Sequence, residues 1–268
     1  MGRLAILACG GALPVRLAEA HPDAMVITLE GIPSELEARS DRHRLEKIGG
    51  LFSAMKAAGV DRMVFAGALA RPGFDPGQFD GMMTRIAPRL MAAIPQGDDA
   101  LLRTVIAIFE EQGFAVLGAH ELLPELVAED GFAHGPALDE ADLRDAARAG
   151  EILRTLGPLD LGQGCVVAGG QCLGIETVQG TDALLRFVGE TDPKFRRGHK
   201  GVFVKAPKPG QDLRIDMPVI GPGTIDGIAD AGLAGVVIAP GRVMILDRDE
   251  VLRRAGATGV FILARDLA

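Results

Sequence analysis

Between residues 198 and 226 the chain gathers four cations, Lys200, Lys205, Lys208 and Arg214, against three carboxylates, Asp212, Asp216 and Asp226, with Pro and Gly setting the turns between them. A diphosphate site needs both signs. Cations balance the phosphate oxygens, and carboxylates hold Mg²⁺, which takes one or two of them plus substrate phosphates and waters. A solvated face of salt bridges is the plainer reading of the same residues. Just upstream, residues 176–182 (ETVQGTD) add acids and hydroxyls after an apolar run, where Thr181 or Asp182 also suits a helix cap.

A second candidate is the GGALP turn at residues 10–14. Glycines between a strand and a helix let the backbone approach a phosphate at the helix N-terminus, where free N–H groups favour anions. The turn is neither G-x-G-x-x-G nor a P-loop. Glu30, twenty residues after Gly10, has the position of a ribose-binding carboxylate; a tight turn with an exposed acid explains the same residues. In PQGDDALL, residues 95–102, Asp98 or Asp99 caps a helix. The other is left for the helix dipole or for a ligand. The histidines at 21, 43, 120, 134 and 199 form no H-E-x-x-H cluster and no G-x-S-x-G elbow occurs, which disfavours a His-based zinc site and a serine hydrolase of that type.

The elements that must position these residues can be read from the apolar pattern. Short apolar runs at 4–8, 25–29, 62–66 and 115–117 alternate with amphipathic segments at 13–20, 44–58, 79–94 and 98–112. That is the pattern of a parallel sheet with crossover helices. The turn-rich stretch EDGFAHGP, 129–136, separates this part from a helix over 139–156 and a hairpin made by 165–168 and 172–176. Runs at 202–205, 236–239, 243–246 and 259–263 follow, with helices at 182–187, 224–231 and 247–255. The reading is an α/β protein: a Rossmann-like parallel domain over 1–132 and a mixed α/β domain over 133–268, with substrate in the cleft between them. Phe79, Met83, Ile86 and Leu90 make an apolar stripe, with Met82 and Met91 adjacent and Pro88 interrupting it. The stripe reads either as core or as an adaptable groove for apolar chains.

Composition narrows the partners. Of 268 residues, 36 are Asp or Glu and 28 Lys or Arg, a net charge of -8, so an electrostatic grip on nucleic acid is disfavoured. With no Trp or Tyr, stacking platforms for single strands are disfavoured too. Three cysteines, Cys9, Cys165 and Cys172, without C-x-x-C suggest neither a disulfide framework nor a zinc ribbon, and a reducing compartment is the simpler setting. The apolar run after Arg3 imitates a signal peptide but stops at Gly10 and Gly11, which suits a buried strand better. No apolar stretch approaches the 18 or so residues that a membrane span needs.

Taken in order, LACGGALP (7–14), GDD with two leucines (97–102), GIE with GTD (174–182), KPGQDLRIDMP (208–218) and GPGTID (221–226) resemble the UDP-2,3-diacylglucosamine pyrophosphatases of lipid A biosynthesis in Gram-negative bacteria. This is the family unrelated to calcineurin-like metallophosphoesterases. The resemblance spans nearly the whole chain, and KPGQDLRIDMP is its most specific part. It implies a Mg²⁺-dependent hydrolase in which water attacks the α-phosphorus of the UDP moiety, giving UMP and 2,3-diacylglucosamine 1-phosphate. It puts the family's essential aspartate on Asp226; read from the charges themselves, Asp216 is the other candidate metal ligand and Lys205, Lys208 or Arg214 the catalytic cation that can favour the transition state. It implies substrate contacts at Gly10, Gly11, Leu13, Pro14, Asp98, Asp99, Gln171, Thr181, Asp182, Gln211 and Asp212. Cys9 stands where family members more often carry Ala or Gly, a departure without chemical consequence. A cytoplasmic protein, at most peripheral on the cytoplasmic face of the inner membrane, is expected, with oligomeric state left open. The competing readings are a nucleotide-binding oxidoreductase using Gly10, Gly11 and Glu30, and a non-catalytic sugar-nucleotide sensor.

Overall fold

The computed structural model describes residues 2–69, 73 and 75–267. Its first strand, β1 (Arg3–Ala8), is buried after Arg3 and runs into the GG turn, from which α1 (Ala12–Ala20) starts. β2 (Met25–Leu29), β3 (Asp41–His43), α2 (Ile48–Ala57), β4 (Val60–Ala66), α3 (Gly81–Ala93), α4 (Asp98–Glu111), β5 (Ala115–Leu117) and the short α5 (Ala119–Leu122) follow. The five strands form one sheet in the order β3-β2-β1-β4-β5 with every pairing parallel. This is the doubly wound arrangement, in which the chain leaves β1 in opposite directions and opens a crevice at the C-terminal end of that strand. Gly10 and Gly11 stand at that end. Gly10 and Ala68 exchange backbone hydrogen bonds of 3.3 and 2.8 Å, and the approach is so close that a Cβ on Gly67 (φ +90°) would lie 2.4 Å from the Gly10 carbonyl oxygen.

The core of this sheet is built from Leu7, Ile27, Met55, Met63 and Phe109, with Phe52 and Phe65 each set edge-on to Phe109. The stripe on α3 belongs to it: Met83 is 2% exposed, Ile86 is buried, and Phe79 and Leu90 pack partly buried against the same cluster. The groove reading of these four is therefore corrected to core. Pro88 is tolerated because it lies on the exposed side of the helix. Met83→Glu is expected to abolish folding, because an isolated carboxylate would be buried there, whereas Met91→Glu, 69% exposed, should leave the fold intact. Circular dichroism and soluble yield of the two variants check this.

The second part contains β6 (Ala133–His134), α6 (Glu140–Leu156), β7 (Gly164–Ala168), β8 (Gln171–Ile175), α7 (Thr181–Gly189), β9 (Val202–Lys205), β10 (Val219–Ile220), α8 (Pro222–Asp230), β11 (Gly235–Ile238), β12 (Met244–Ile245), α9 (Arg248–Thr258) and β13 (Phe261–Ala264). Its main sheet, β6-β13-β11-β9-β7-β8, is parallel through β13, β11 and β9 and antiparallel at β6, β7 and β8. Alternation along the strands sorts side chains to two faces. Val166, Phe203 and Val236 pack with α7, α8 and α9, while Cys165, Val167, Val204 and Val237 pack with α6. A small parallel pair, β10 and β12, stands apart.

The chain divides into two units. The described residues up to Pro124, together with Asp212–Asp216, make the first; Glu125–Gln211 and the described residues from Met217 onward make the second. The KPGQDLRIDMP string is thus shared, its middle held by the first unit and its two ends by the second. Among the described residues no helix is long and apolar enough to cross a membrane.

Candidate active site

In the second unit, β9 carries Phe203 and Lys205 on the α7 side of the sheet, so the strand's last residue puts its ammonium beside the start of α7. Lys205 is 3% exposed. Its Nζ donates to Glu176 Oε2 at 2.8 Å, Glu176 Oε1 at 3.0 Å and Thr181 Oγ1 at 2.7 Å, and the Thr181 hydroxyl donates in turn to Glu176 Oε1 at 2.9 Å. An ammonium has three N–H groups. All three find acceptors inside the protein, which is what a buried ion requires if its desolvation is to be offset. Glu176 follows β8 and is fixed by its own N–H, which donates to the Gly164 oxygen at 2.7 Å. Gly164 must be glycine, since a Cβ there would sit 2.6 Å from Glu176 Oε2 and 2.8 Å from the Phe203 ring. Neither Thr181 nor Asp182 caps α7. Gly180, at φ +82°, is the N-cap, and the two side chains occupy the first helical turn.

Lys208 pairs with Asp160, a residue in the left-handed backbone region at φ +57°. The Lys208 N–H donates to the side chain of the buried Gln211 at 2.9 Å, and the Gln211 N–H donates back to the Lys208 oxygen at 3.2 Å, closing the turn. Gln171 is exposed at the start of β8, beside the Gly169–Gly170 turn. That turn is held by the buried carboxylate of Asp145, which accepts both glycine N–H groups at 2.8 Å.

Asp226 lies on α8 and is ion-paired through Oδ2 with Arg254 of α9. Its side chain is 45% exposed. Arg254 also donates to Glu250 at 2.6 Å, and Arg253 does so at 2.7 Å. The hydrogen bonds from Arg253 and then Arg254 hold the Glu250 carboxyl down at about 2.

In the first unit, Arg214 donates to Asp212 at 2.6 Å through Nη2 and 2.9 Å through Nε, and to Glu110 on α4 at 2.7 Å through Nη1. The Asp212 carboxyl is lowered chiefly by this bond, and the guanidinium is raised by the same partner. Ile215 packs against the core of the first unit, and the Asp216 N–H reaches the Asp212 oxygen at 3.4 Å. Gly97 at φ +108° is the N-cap of α4, so neither Asp98 nor Asp99 takes that position. Both sit in the first turn, where the helix dipole favours acids, and Asp99 pairs with Arg103 at 2.7 Å. Gly11, at φ +97°, is the N-cap of α1, while Leu13 and Pro14 are buried in its first turn. Glu30 follows β2 and lies 3.7 Å from Arg44. An open groove of about 420 Å³ runs between α3 and α4, lined by Arg89, Gln96, Arg103, Thr104 and four alanines. None of the residues nominated from sequence lines it.

The structure thus brings Lys205, Thr181 and Glu176 together, and Lys208 with Gln211. It places Asp212, Arg214 and Asp216 with the first unit and Asp226 in the second. Asp145, Asp160 and Arg254 carry no sequence signal, since each meets a partner 24, 48 or 28 positions away with whole strands and helices between them.

A doubly wound parallel sheet with a glycine turn at its switch point, followed by a mixed α/β unit, defines a two-domain α/β protein. Family models identify both parts: the LpxI N-terminal domain matches residues 3–126 and the LpxI C-terminal domain matches residues 129–263. The chain belongs to the LpxI family. It is 38% identical, over 277 aligned positions covering 99% of this chain and 98% of its relative, to the UDP-2,3-diacylglucosamine pyrophosphatase LpxI of Caulobacter vibrioides.

Proposed function

We propose that this chain hydrolyses the diphosphate of UDP-2,3-diacylglucosamine, giving UMP and 2,3-diacylglucosamine 1-phosphate, in lipid A biosynthesis. The observation that carries the reading is the end-to-end match to a pyrophosphatase of that name, through both domains and 99% of the chain. The substrate anhydride carries two negative charges that repel a nucleophile, so cations near the diphosphate favour the transition state. Lys208 and Arg214 are the cations for this work. Arg214 has five N–H donors, of which the bonds to Asp212 and Glu110 engage those on Nε, Nη1 and Nη2 singly, leaving donors for a phosphate oxygen. Lys205 supports the site through Thr181 and Glu176. The Asp226 carboxylate aligns the attacking water and accepts its proton through Oδ1, while Arg254 fixes Oδ2. Gly10 and Gly11, with Leu13 and Pro14 behind them, offer backbone to the nucleotide; Asp98, Asp99, Gln171, Asp182, Gln211 and Asp212 complete the substrate contacts.

A Mg²⁺ ion fits this donor set in one form only. No group of three His, Cys, Asp or Glu side chains converges among the described residues. A cage made wholly of protein is therefore absent among them, and the ion would be held mainly by substrate oxygens and water with Asp226 or Asp216, as Mg²⁺ prefers. When bound it supplies neutralisation of the diphosphate charge. The working location is the cytoplasm or the cytoplasmic face of the inner membrane, where a UDP-linked diacyl sugar is met.

Hydrolysis in ¹⁸O-enriched water tests the reaction. Label is expected in UMP and not in the acyl-sugar phosphate. Label in the sugar phosphate would place attack at the other phosphorus and overturn the role given to Asp226.

A further inference from the structure

The hairpin that delivers Glu176 also carries two of the three cysteines. Across it Val167 opposes Cys172 and Cys165 opposes Ile175, with a bulge between Val166 and Val167. Cys165 therefore lies diagonal to Cys172, and the two sulfurs are 3.9 Å apart. Their exposures are opposite: Cys172 is exposed, whereas Cys165 is fully buried against α6. One thiol can meet a small oxidant, and the other waits behind it. Hydrogen bonding from the Cys165 thiol lowers Cys172 from the ordinary thiol value, with Arg148 of α6 a lesser contributor, which favours the nucleophilic thiolate at the exposed sulfur. Cys9, buried in the first unit, is pushed up to about 11 by burial and stays a thiol.

We propose that Cys165 and Cys172 are a redox couple that a peroxide closes to an intramolecular disulfide, and that closure loosens Glu176 from Lys205. In the first step the Cys172 thiolate attacks hydrogen peroxide: an S–O bond forms, the O–O bond breaks and hydroxide leaves. In the second, the Cys165 sulfur attacks the sulfenic sulfur, the S–S bond forms, and the departing oxygen leaves as water with the Cys165 proton. Two thiols are oxidised and one peroxide is reduced. The sulfurs must close from 3.9 Å to the ~2.0 Å of a disulfide. That movement falls on the hairpin at both supports of Glu176. Cys172 is four residues before it in the chain, and Cys165 adjoins Gly164, whose oxygen accepts the Glu176 N–H. The disulfide step stands on this geometry alone, while any effect on turnover rests on the function proposed above.

The test uses the full chain, reduced and then treated with a small excess of hydrogen peroxide. Intact mass should fall by about 2 Da, alkylatable thiols after unfolding should drop from three to one, and amide exchange across residues 176–181 should quicken, all reversed by a dithiol reductant. Hydrolysis should fall at least about tenfold and recover likewise. Cys172→Ser should show none of these changes, and Cys165→Ser should stop at a trappable sulfenic acid on Cys172. Absence of the mass loss, covalent dimers through Cys172, or a disulfide without faster exchange at 176–181 each overturns the proposal. A reduced protein without hydrolase activity would overturn the proposed function instead, with the mass and exchange readouts still deciding this one.

Discussion

Replacing Asp226 by Asn is expected to lower kcat by at least about a hundredfold, the usual scale for a general acid–base group, while the melting temperature moves little. The two halves of that expectation have separate origins. Asp226 sits on an outward part of α8 with its side chain 45% exposed, and its partner Arg254 keeps Glu250 when the aspartate is changed. Such an exposed pair contributes little to stability because water and salt screen it, so removing it should hardly disturb the unit. The amide keeps the shape and the contact to Arg254 but cannot accept a proton from water. Arg254→Gln separates alignment from proton transfer: it should raise the disorder of the carboxylate and reduce kcat by less than Asp226→Asn does. Steady-state kinetics with Mg²⁺ present, beside calorimetry on the same preparations, decides it. A near-normal kcat for Asp226→Asn would remove this residue from the chemistry.

The sequence carries the strand positions well where burial is two-sided. The runs at 25–29 and 202–205 coincide with β2 and β9, strands buried along almost their whole length and therefore mostly apolar, and the run at 115–117 coincides with the edge strand β5, where only Val116 is buried. β3 is missed for the opposite reason. Asp41–His43 is a polar edge strand whose only claim to the sheet is its backbone pairing with β2, and backbone pairing leaves no side-chain pattern. β6, two residues within the stretch read as a linker, is hidden in the same way. From sequence, Asp98 or Asp99 and Thr181 or Asp182 read as caps because those side chains are good caps. In the structure the preceding glycines, Gly97 and Gly180, take the left-handed turn that only they adopt cheaply. The charged residues are legible as a group but not as pairs. Lys205 meets Glu176 across 29 positions, Lys208 meets Asp160 across 48 and Arg254 meets Asp226 across 28, and none of these separations has a period that local structure imposes.

The same pairing sets the second large effect, in stability instead of rate. Lys205→Met is expected to destabilise the second unit by about 3–5 kcal/mol, the cost of leaving a buried partner charge unmatched. At about 2–4 °C per kcal/mol for a unit of this size, its melting transition should fall by on the order of 10 °C. Glu176→Gln should also destabilise, since the Lys205 ammonium would keep Thr181 and an amide oxygen but lose its counter-charge. The double variant is the informative one. With both charges gone, neither is stranded, and the loss should be clearly smaller than the sum of the single losses, because residues in one ion-pair network couple strongly. Differential scanning calorimetry of the four proteins gives the cycle, and kinetics on the folded fraction gives the rest. All three ammonium donors are engaged within the protein, so Lys205 should act on the reaction only through the order it imposes on Thr181 and Glu176. A Lys205→Met protein that melts like the parent yet has lost its kcat would show instead that the ammonium leaves Glu176 to meet the diphosphate directly.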